Sequence, residues 1–123
     1  MAIMVGKREI SIMQAMFLFA LYKNPNKSGS EIIHRIKENI GEDFVPTAGA
    51  RYKILQSLEK SGLIEETTEI SELEDKRKRV YKLSSKGKET IQILAKKLGR
   101  MLLFLTSCCP ECCSDLNISI DLT

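Results

Sequence analysis

The apolar residues between positions 11 and 40 predict two helices. Almost every position from Ile12 to Tyr22 is apolar, which predicts a helix over residues 11–22 that is buried by more than one neighbour. The turn Asn24-Pro25-Asn26 ends this helix. Ser28-Gly29-Ser30 supplies the N-cap of a second helix over residues 31–39, which Gly41 terminates. The isoleucines of this second helix repeat at steps of one helical face: Ile32, Ile33, Ile36 and Ile40.

A third helix is predicted from Pro46-Thr47 to about residue 61, where Gly62 provides a C-terminal stop. On a helical wheel, Arg51 shares one side of this helix with two leucines, Leu55 and Leu58. The opposite side consists of polar residues and one glycine: Gly49, Lys53, Gln56, Ser57 and Lys60.

The next two segments favour extended structure. Residues 63–70 and 78–83 are predicted to form an antiparallel hairpin with a long polar tip, because β-branched and aromatic residues recur in both. A continuous basic run, Lys76, Arg77, Lys78 and Arg79, lies at that tip. Such a run is a candidate patch for phosphate contacts, and a solvated loop tip is the alternative.

A fourth, long helix is predicted to follow Gly87 and to reach about residue 106. Its apolar positions repeat every three or four residues, close to a heptad seam, and comprise Ile91, Leu94, Leu98, Met101, Leu102 and Leu105. A seam this long favours a homodimer through this helix and the first helix, with packing inside one chain as the alternative. The chain therefore divides into a domain over residues 1–87, a dimerisation helix over 88–107 and a cysteine-rich tail over 108–123.

Composition narrows the class of protein. The chain has 123 residues, of which 43% are apolar and 28% charged, and its net charge is +3. These values are typical of one globular domain and exclude a large two-lobed enzyme. With His34 as the sole histidine, and with no glycine-rich phosphate loop, Gly-x-Ser-x-Gly or histidine–carboxylate zinc motif, we do not expect an enzyme.

The N-terminus resembles a signal peptide only superficially. Lys7 and Arg8 precede the apolar stretch, but this stretch contains Gln14 and is not followed by a small-residue cleavage site. It is also too short to span a bilayer. We therefore expect no membrane association and a cytoplasmic location.

Three helices followed by a hairpin make a mainly α fold with a small β-hairpin, the winged helix-turn-helix, here with a long C-terminal helix added. In this fold the third helix enters the major groove of double-stranded DNA, and the hairpin contacts phosphates. We expect Gln56, Lys53 and Arg51 to contact bases. Phosphate contacts are expected from Tyr52, Thr47 and Lys60 and from the wing cations Lys76 to Arg79.

The segment of residues 47–64, TAGARYKILQSLEKSGLI, resembles the recognition-helix segment of PadR-type transcriptional regulators. Residues 77–87, RKRVYKLSSKG, resemble the returning wing strand of that family and its turn into the last helix. The resemblance implies a small, dimeric winged-helix repressor. Gly49 and Tyr52 match the Gly-x-x-Tyr element of the family, in which the glycine allows close approach to DNA. Arg51 stands where the family usually has an apolar residue.

All four cysteines of the chain, Cys108, Cys109, Cys112 and Cys113, lie within six residues. A secreted disulfide scaffold spreads its cysteines along the chain, so this clustering favours a reducing compartment. Three interpretations stay open: zinc or an iron–sulfur cluster at a dimer interface, disulfides within or between subunits, and inert cysteines. Adjacent thiols also suit a sensor of redox state or of a soft metal.

The alternative function is a winged-helix module for protein–protein contact within a larger complex. The two functions differ in their surface charge. A DNA-binding domain needs a continuous positive face, whereas nearby glutamates would neutralise the wing of an interaction module: Glu65, Glu66, Glu69, Glu72 and Glu74.

Overall fold

Each of the four long helices begins at a hydroxyl side chain that caps its first turn. Ser11, Ser28, Thr47 and Ser84 accept hydrogen bonds from backbone N–H groups three residues further on. At the first helix the side chain of Gln14 also accepts from the Ser11 N–H, which completes a capping box. Each such cap contributes about 1 kcal/mol. The helix starts are therefore encoded locally.

The computed structural model describes residues 2–71 and 76–113. In chain order the elements are β1 (Ala2–Val5), β2 (Arg8–Ser11), α1 (Ile12–Leu21), α2 (Gly29–Ile40), a short 3₁₀ helix (Glu42–Phe44), α3 (Ala48–Lys60), β3 (Ile64–Ser71), β4 (Lys76–Leu83), α4 (Ser85–Cys108) and α5 (Pro110–Cys113). The mainly α winged-helix fold predicted from the sequence is confirmed. The final ten residues of the predicted tail, 114–123, lie outside the described residues.

Helix α1 lies at the centre of the core. It contacts α2, α3, α4, β2 and β4, which explains why it is apolar on most sides. Phe17 and Leu18 are completely buried, and Ala15, Ala20 and Leu21 are buried with them. The other helices contribute Ile32, Ile36, Leu55, Leu58, Ile91 and Leu94 to the same cluster.

The sequence analysis assigned no element before residue 11, but the structure has an antiparallel hairpin there. β1 pairs with β2 in the register Ala2↔Ser11 to Val5↔Arg8, and Gly6 turns the chain with φ +64°. Ile3 and Ile10 lie opposite each other and are both buried. The hairpin packs on α4, where the Lys97 ammonium donates to the Met4 carbonyl.

The second hairpin is longer than predicted. β3 and β4 pair from Ile64↔Leu83 to Ser71↔Lys76. Strand β4 therefore begins at Lys76, two residues before the predicted start, and the basic run forms the first half of this strand. Lys76 and Arg77, which the sequence pattern placed in the turn, therefore pair with β3, as Lys78 and Arg79 do. Lys27 extends the sheet by a single bridge to Tyr81.

The two halves of α4 have different surroundings. Ile91 and Leu94, two of the six predicted dimer-seam residues, are buried in the core of their own chain, and Leu98 packs against it. Beyond Leu98 the helix leaves the core, and the apolar residues Met101, Phe104 and Leu105 are exposed. The 24 residues of α4 span about 36 Å. Among the described residues, no helix is both long and apolar enough to span a bilayer.

Gly87 permits the close approach of α4 to the end of α3. A Cβ atom at this position would lie well inside van der Waals distance of the Leu63 carbonyl oxygen, a backbone atom. We predict that Gly87→Ala destabilises the protein by about 3 kcal/mol, as overpacking of a rigid site does. Chemical denaturation measures this difference.

The matched control is Gly99→Ala in the same helix, where a Cβ would meet no atom within 4 Å. This variant should gain about 0.5–1 kcal/mol from helix propensity. Equal stability of the Gly87→Ala variant and the wild type would contradict the packing of α4 on the Leu63 backbone.

Candidate nucleic-acid interface

One face of α3 is polar and open to solvent. Two buried leucines, Leu55 and Leu58, fix the opposite face against the core. The exposed side chains follow one another at steps of three or four residues, so they form a single stripe. We call this set the α3 stripe, and it consists of Gly49, Tyr52, Lys53, Gln56 and Lys60 together with the N-cap residue Thr47.

Two features suit the α3 stripe for binding a partner that is charged and forms hydrogen bonds. Tyr52 is 56% exposed, although it is the largest residue of the stripe and aromatic. Lys53 and Lys60 are exposed and make no ion pair with any residue that the structure describes. The stripe therefore combines two exposed lysines with the amide of Gln56, and these groups can contact phosphates and base edges.

Arg51 lies beside the α3 stripe rather than within it. It is half-buried, and its side-chain stem lies near the first turn of α2, where a Cβ on Gly29 would come within 3.8 Å of the Arg51 Cδ. This position agrees with the helical wheel, which put Arg51 on the side of Leu55 and Leu58. An arginine is accommodated there because its methylene stem covers apolar surface while the guanidinium reaches solvent.

A polar contact that the sequence analysis missed fixes α3 against α1. The Gln14 amide donates to the Ser57 hydroxyl at 2.9 Å, while the same side chain caps α1 through Ser11. The helical wheel had put Ser57 on the polar outer side, but it is half-buried and used in this contact. The capping-box pattern in the sequence identifies Gln14 locally, whereas its partner 43 residues away depends on the packing of the helices.

The wing cations that the structure describes are paired with carboxylates. Arg79 Nε lies 3.2 Å from Glu66 Oε1, and Lys82 Nζ lies 3.7 Å from Glu65 Oε2. The side chains of Lys76, Arg77 and Lys78 lie outside the described part of the chain, as do those of Glu69, Glu72 and Glu74. The described part of the wing thus carries balanced charge, in contrast to the α3 stripe.

Two carboxyl groups meet where α3 contacts the wing. Burial raises the pKa of Glu59, and the charge of Glu66 and a hydrogen bond to its side chain raise that pKa further. Arg79 opposes this shift. Burial likewise raises the pKa of Tyr81, with the charges of Glu66 and Glu59 acting in the same direction. The joint between α3 and the wing therefore brings two carboxyl groups, Glu59 and Glu66, together with one guanidinium, Arg79.

The C-terminal end of the described chain is apolar and rich in sulfur. Phe104 is 72% exposed, and Met101 and Leu105 lie near it on α4. A disulfide joins Cys109 to Cys112, whereas Cys108 and Cys113 are free. Within residues 2–71 and 76–113, no group of three or more His, Cys, Asp or Glu side chains is arranged to hold a metal ion.

These observations define first a class and then a family. Three helices with an exposed polar stripe on the third, followed by a two-stranded hairpin, make a winged helix-turn-helix protein. The sequence model of the transcriptional regulator PadR-like family matches residues 18–93, and the chain belongs to this family. Members of the family are transcriptional regulators, so the chain is a regulator and not an enzyme.

Solved structures share this fold. A PadR family transcription regulator from Clostridium difficile R20291 superposes with a TM-score of 0.66 at 21% identity, covering 79% of this chain and 96% of that chain. A PadR-like transcriptional regulator from Bacillus cereus gives a TM-score of 0.68 at 19% identity, covering 78% and 89%. Bacillus subtilis PadR, solved in complex with operator DNA, gives 0.60 at 25% identity, covering 69% and 47%. A comparison with curated protein sequences finds no match.

We predict that Glu59→Gln raises the melting temperature at pH 7 but not at about pH 4. A carboxyl group whose pKa is raised on folding favours the folded state below its unfolded pKa, and this contribution is lost as the pH rises through the folded value. The uncharged amide removes the cost of holding an ionised Glu59 carboxylate in the folded state at neutral pH. Thermal unfolding followed by circular dichroism at both pH values measures the effect.

The matched control is Glu89→Gln, which changes an exposed glutamate of α4 and should leave the pH dependence of the melting temperature as in the wild type. A Glu59→Gln variant whose melting temperature shifts equally at both pH values would show that ionisation of Glu59 does not destabilise the folded state.

Proposed function

We propose that this protein is a sequence-specific DNA-binding regulator of PadR type that acts as a dimeric repressor in the cytoplasm. The observation that carries the proposal is the α3 stripe, which presents an amide and two exposed lysines on the outer face of the third helix. The fold shared with Bacillus subtilis PadR, which was solved with operator DNA, supports the same assignment.

The proposed roles follow from side-chain chemistry. The amide of Gln56 suits the N6 and N7 edge of adenine, and Lys53 suits guanine. Arg51, beside the stripe, is the third proposed base contact. Thr47, Tyr52 and Lys60 contact phosphates, and Gly49 lets the backbone of α3 approach the DNA. The cations Lys76, Arg77, Lys78 and Arg79 anchor the wing on phosphates.

We predict that Gln56→Ala lowers the preference for the protein's own upstream DNA over a scrambled duplex about tenfold, because a base-edge contact is lost. Gln92→Ala, on the exposed surface of α4, is the matched control and should keep the wild-type preference. Fluorescence anisotropy with labelled duplexes measures both affinities. An unchanged preference in the Gln56→Ala variant would remove Gln56 from base recognition.

The same titrations at two salt concentrations separate phosphate contacts from base contacts. Lys60→Ala should weaken binding to every sequence and reduce the slope of log affinity against log salt by about one. Replacing the four wing cations with alanine should reduce the slope further. A slope that the wing variant leaves unchanged would contradict the wing assignment.

The alternative, a protein–protein module, draws support from one observation. Both described wing cations, Arg79 and Lys82, are paired with glutamates of β3, which lowers the positive field of the wing. Absence of DNA binding at low salt, in reduced and oxidised samples alike, would make this alternative the leading function.

We propose that the dimer forms through the outer half of α4, with α1 contributing Met16 and Phe19 at its edge. Exposed apolar side chains at Met101, Phe104 and Leu105 make this end of α4 an unsatisfied surface. In this proposal Ile91 and Leu94, which are buried in the core of their own chain, anchor the inner half of α4. Leu98 and Leu102 are half-buried, and Leu98 lies between these two groups along α4, whereas Leu102 lies within the second group.

Phe104→Glu should therefore give a folded monomer, because a charge on the most exposed residue of this surface opposes its burial. Lys96→Glu, at an exposed position of the core-bound half of α4, is the control and should remain dimeric. Sedimentation velocity measures the mass of each variant. A dimeric Phe104→Glu variant would place the interface elsewhere.

We further propose that Cys109 and Cys112 sense oxidation. Two thiols form the disulfide by giving two electrons and two protons to a peroxide, which leaves as water. The bond locks α5 against the end of α4, beside the proposed dimer surface. A soft metal bound to the reduced thiols is the second candidate signal.

Oxidation by hydrogen peroxide is expected to lower the affinity for the upstream DNA, because the locked α5 changes the end of the dimer helix. The double variant Cys109→Ser with Cys112→Ser should bind equally under both conditions. Cys108→Ser with Cys113→Ser is the control and should retain the response, since these thiols are free. A response that survives loss of Cys109 and Cys112 would refute this sensor.

A further inference from the structure

A pocket of about 400 Å³ lies between the α1–α2 loop, the end of β4 and the first turns of α4. Leu21 and Leu83 form its apolar floor and are buried in the core, and Pro25 adds to the apolar wall. No residue of the α3 stripe lines it. A concave site of this size with an apolar floor is typical of small-molecule pockets.

Three lysines surround this pocket, and no carboxylate lines it among the described residues. Lys23 comes from the α1–α2 loop, Lys82 from β4 and Lys88 from α4, so lysines of three separate elements line the same pocket. The Lys82 ammonium is also paired with Glu65, which does not line the pocket, at 3.7 Å. A site with this excess of positive charge favours a ligand with more than one negative charge.

An aromatic side chain completes the rim. Tyr22 lines the pocket and is 47% exposed. The Lys23 ammonium lies 5.5 Å from the centre of this ring. An exposed tyrosine flanked by a cation offers a stacking surface for a flat aromatic group next to a site for its anion.

The loop that carries Tyr22 and Lys23 is held in an uncommon conformation. Lys23 and Asn26 both have left-handed backbones, with φ of 59° and 61°, although neither is glycine. Hydrogen bonds fix the loop at both ends: Asn24 donates to the carbonyls of Leu21 and Tyr22, and Lys27 exchanges two backbone bonds with Tyr81. Backbone strain that the surroundings enforce is concentrated at binding sites, and here it orients the rim of the pocket.

We propose that this pocket binds a small phosphorylated aromatic molecule of the nucleoside diphosphate class. The three lysines contact the phosphates as point charges, Tyr22 stacks on the base, and Leu21 and Leu83 exclude water beneath it. DNA phosphates do not fit the site equally well, because they are bound on open cationic surfaces rather than above a buried apolar floor. The inference concerns a site separate from the α3 stripe and does not depend on DNA binding.

Isothermal titration calorimetry with ADP at about 150 mM salt tests the proposal. We expect saturable binding of one ADP per chain, weaker binding of pyrophosphate, and none of adenosine. Lys82→Gln with Lys88→Gln should weaken ADP binding at least tenfold. Lys96→Gln removes an exposed lysine from the same helix but outside the pocket, and it should bind ADP as the wild type does.

Tyr22→Ala separates a binding role of the ring from a merely structural one. This variant should lose ADP affinity at least fivefold and keep its affinity for pyrophosphate, because only the stacking contact is removed. Circular dichroism checks that each variant is folded.

Three results would overturn the proposal. The first is absence of heat with ADP at millimolar concentration, and the second is an equal loss of binding in the Lys96→Gln variant. The third is displacement of ADP by a random DNA duplex, together with equal loss of ADP and DNA binding in the variant Lys82→Gln with Lys88→Gln. This result would assign the lysines to a nucleic-acid surface. Operator binding measured in parallel is independent of the first two results.

Discussion

The burial of α1 on nearly all sides is the constraint on which the rest of the structure depends. Phe17 and Leu18 are completely enclosed, so helices and strands must surround α1, and each neighbour turns its own apolar face inward. The orientation of α3 follows from this packing. With Leu55 and Leu58 committed to the core, the polar side of α3 has to face solvent. The contact between Gln14 and Ser57 adds one directional bond to this otherwise apolar interface.

The cations of the two proposed DNA-contacting elements, α3 and the wing, differ in their ion pairing. Lys53 and Lys60 on α3 have no ion-pair partner among the described residues, whereas Arg79 on the wing is held by Glu66. A phosphate that recruits Arg79 must therefore compete with a carboxylate, which costs part of the contact energy. Burial and then the charge of Glu66 raise the pKa of Glu59 at the end of α3, and the charge of Arg79 lowers it. The wing and the third helix are thus electrostatically coupled through one small cluster.

Helix α4 has two roles because it is longer than the core that it covers. Its first half closes the core over Ile91 and Leu94, and Gly87 lets it approach the backbone of Leu63. Its second half continues beyond the core and exposes Phe104. The disulfide between Cys109 and Cys112 lies just after this exposed end. The same helix thus contributes both to the core of the chain and to the surface proposed for dimerisation.

Local patterns in the sequence determined the four long helices, the order of the elements from α1 to α4 and most of the exposed face of α3. The reason is that capping hydroxyls, glycine stops and helical periodicity act over a few residues and need no distant partner. Only the tertiary structure decided the N-terminal hairpin, the burial of Ile91 and Leu94, the Gln14–Ser57 bond and the pairing of Arg79 with Glu66. The four-residue strands of the hairpin are too short for a clear alternation, and the helical period of α4 is the same for a core seam as for a dimer seam. Side chains far apart in sequence, such as those of Lys23, Lys82 and Lys88, meet only when the packing of whole elements brings them to one place.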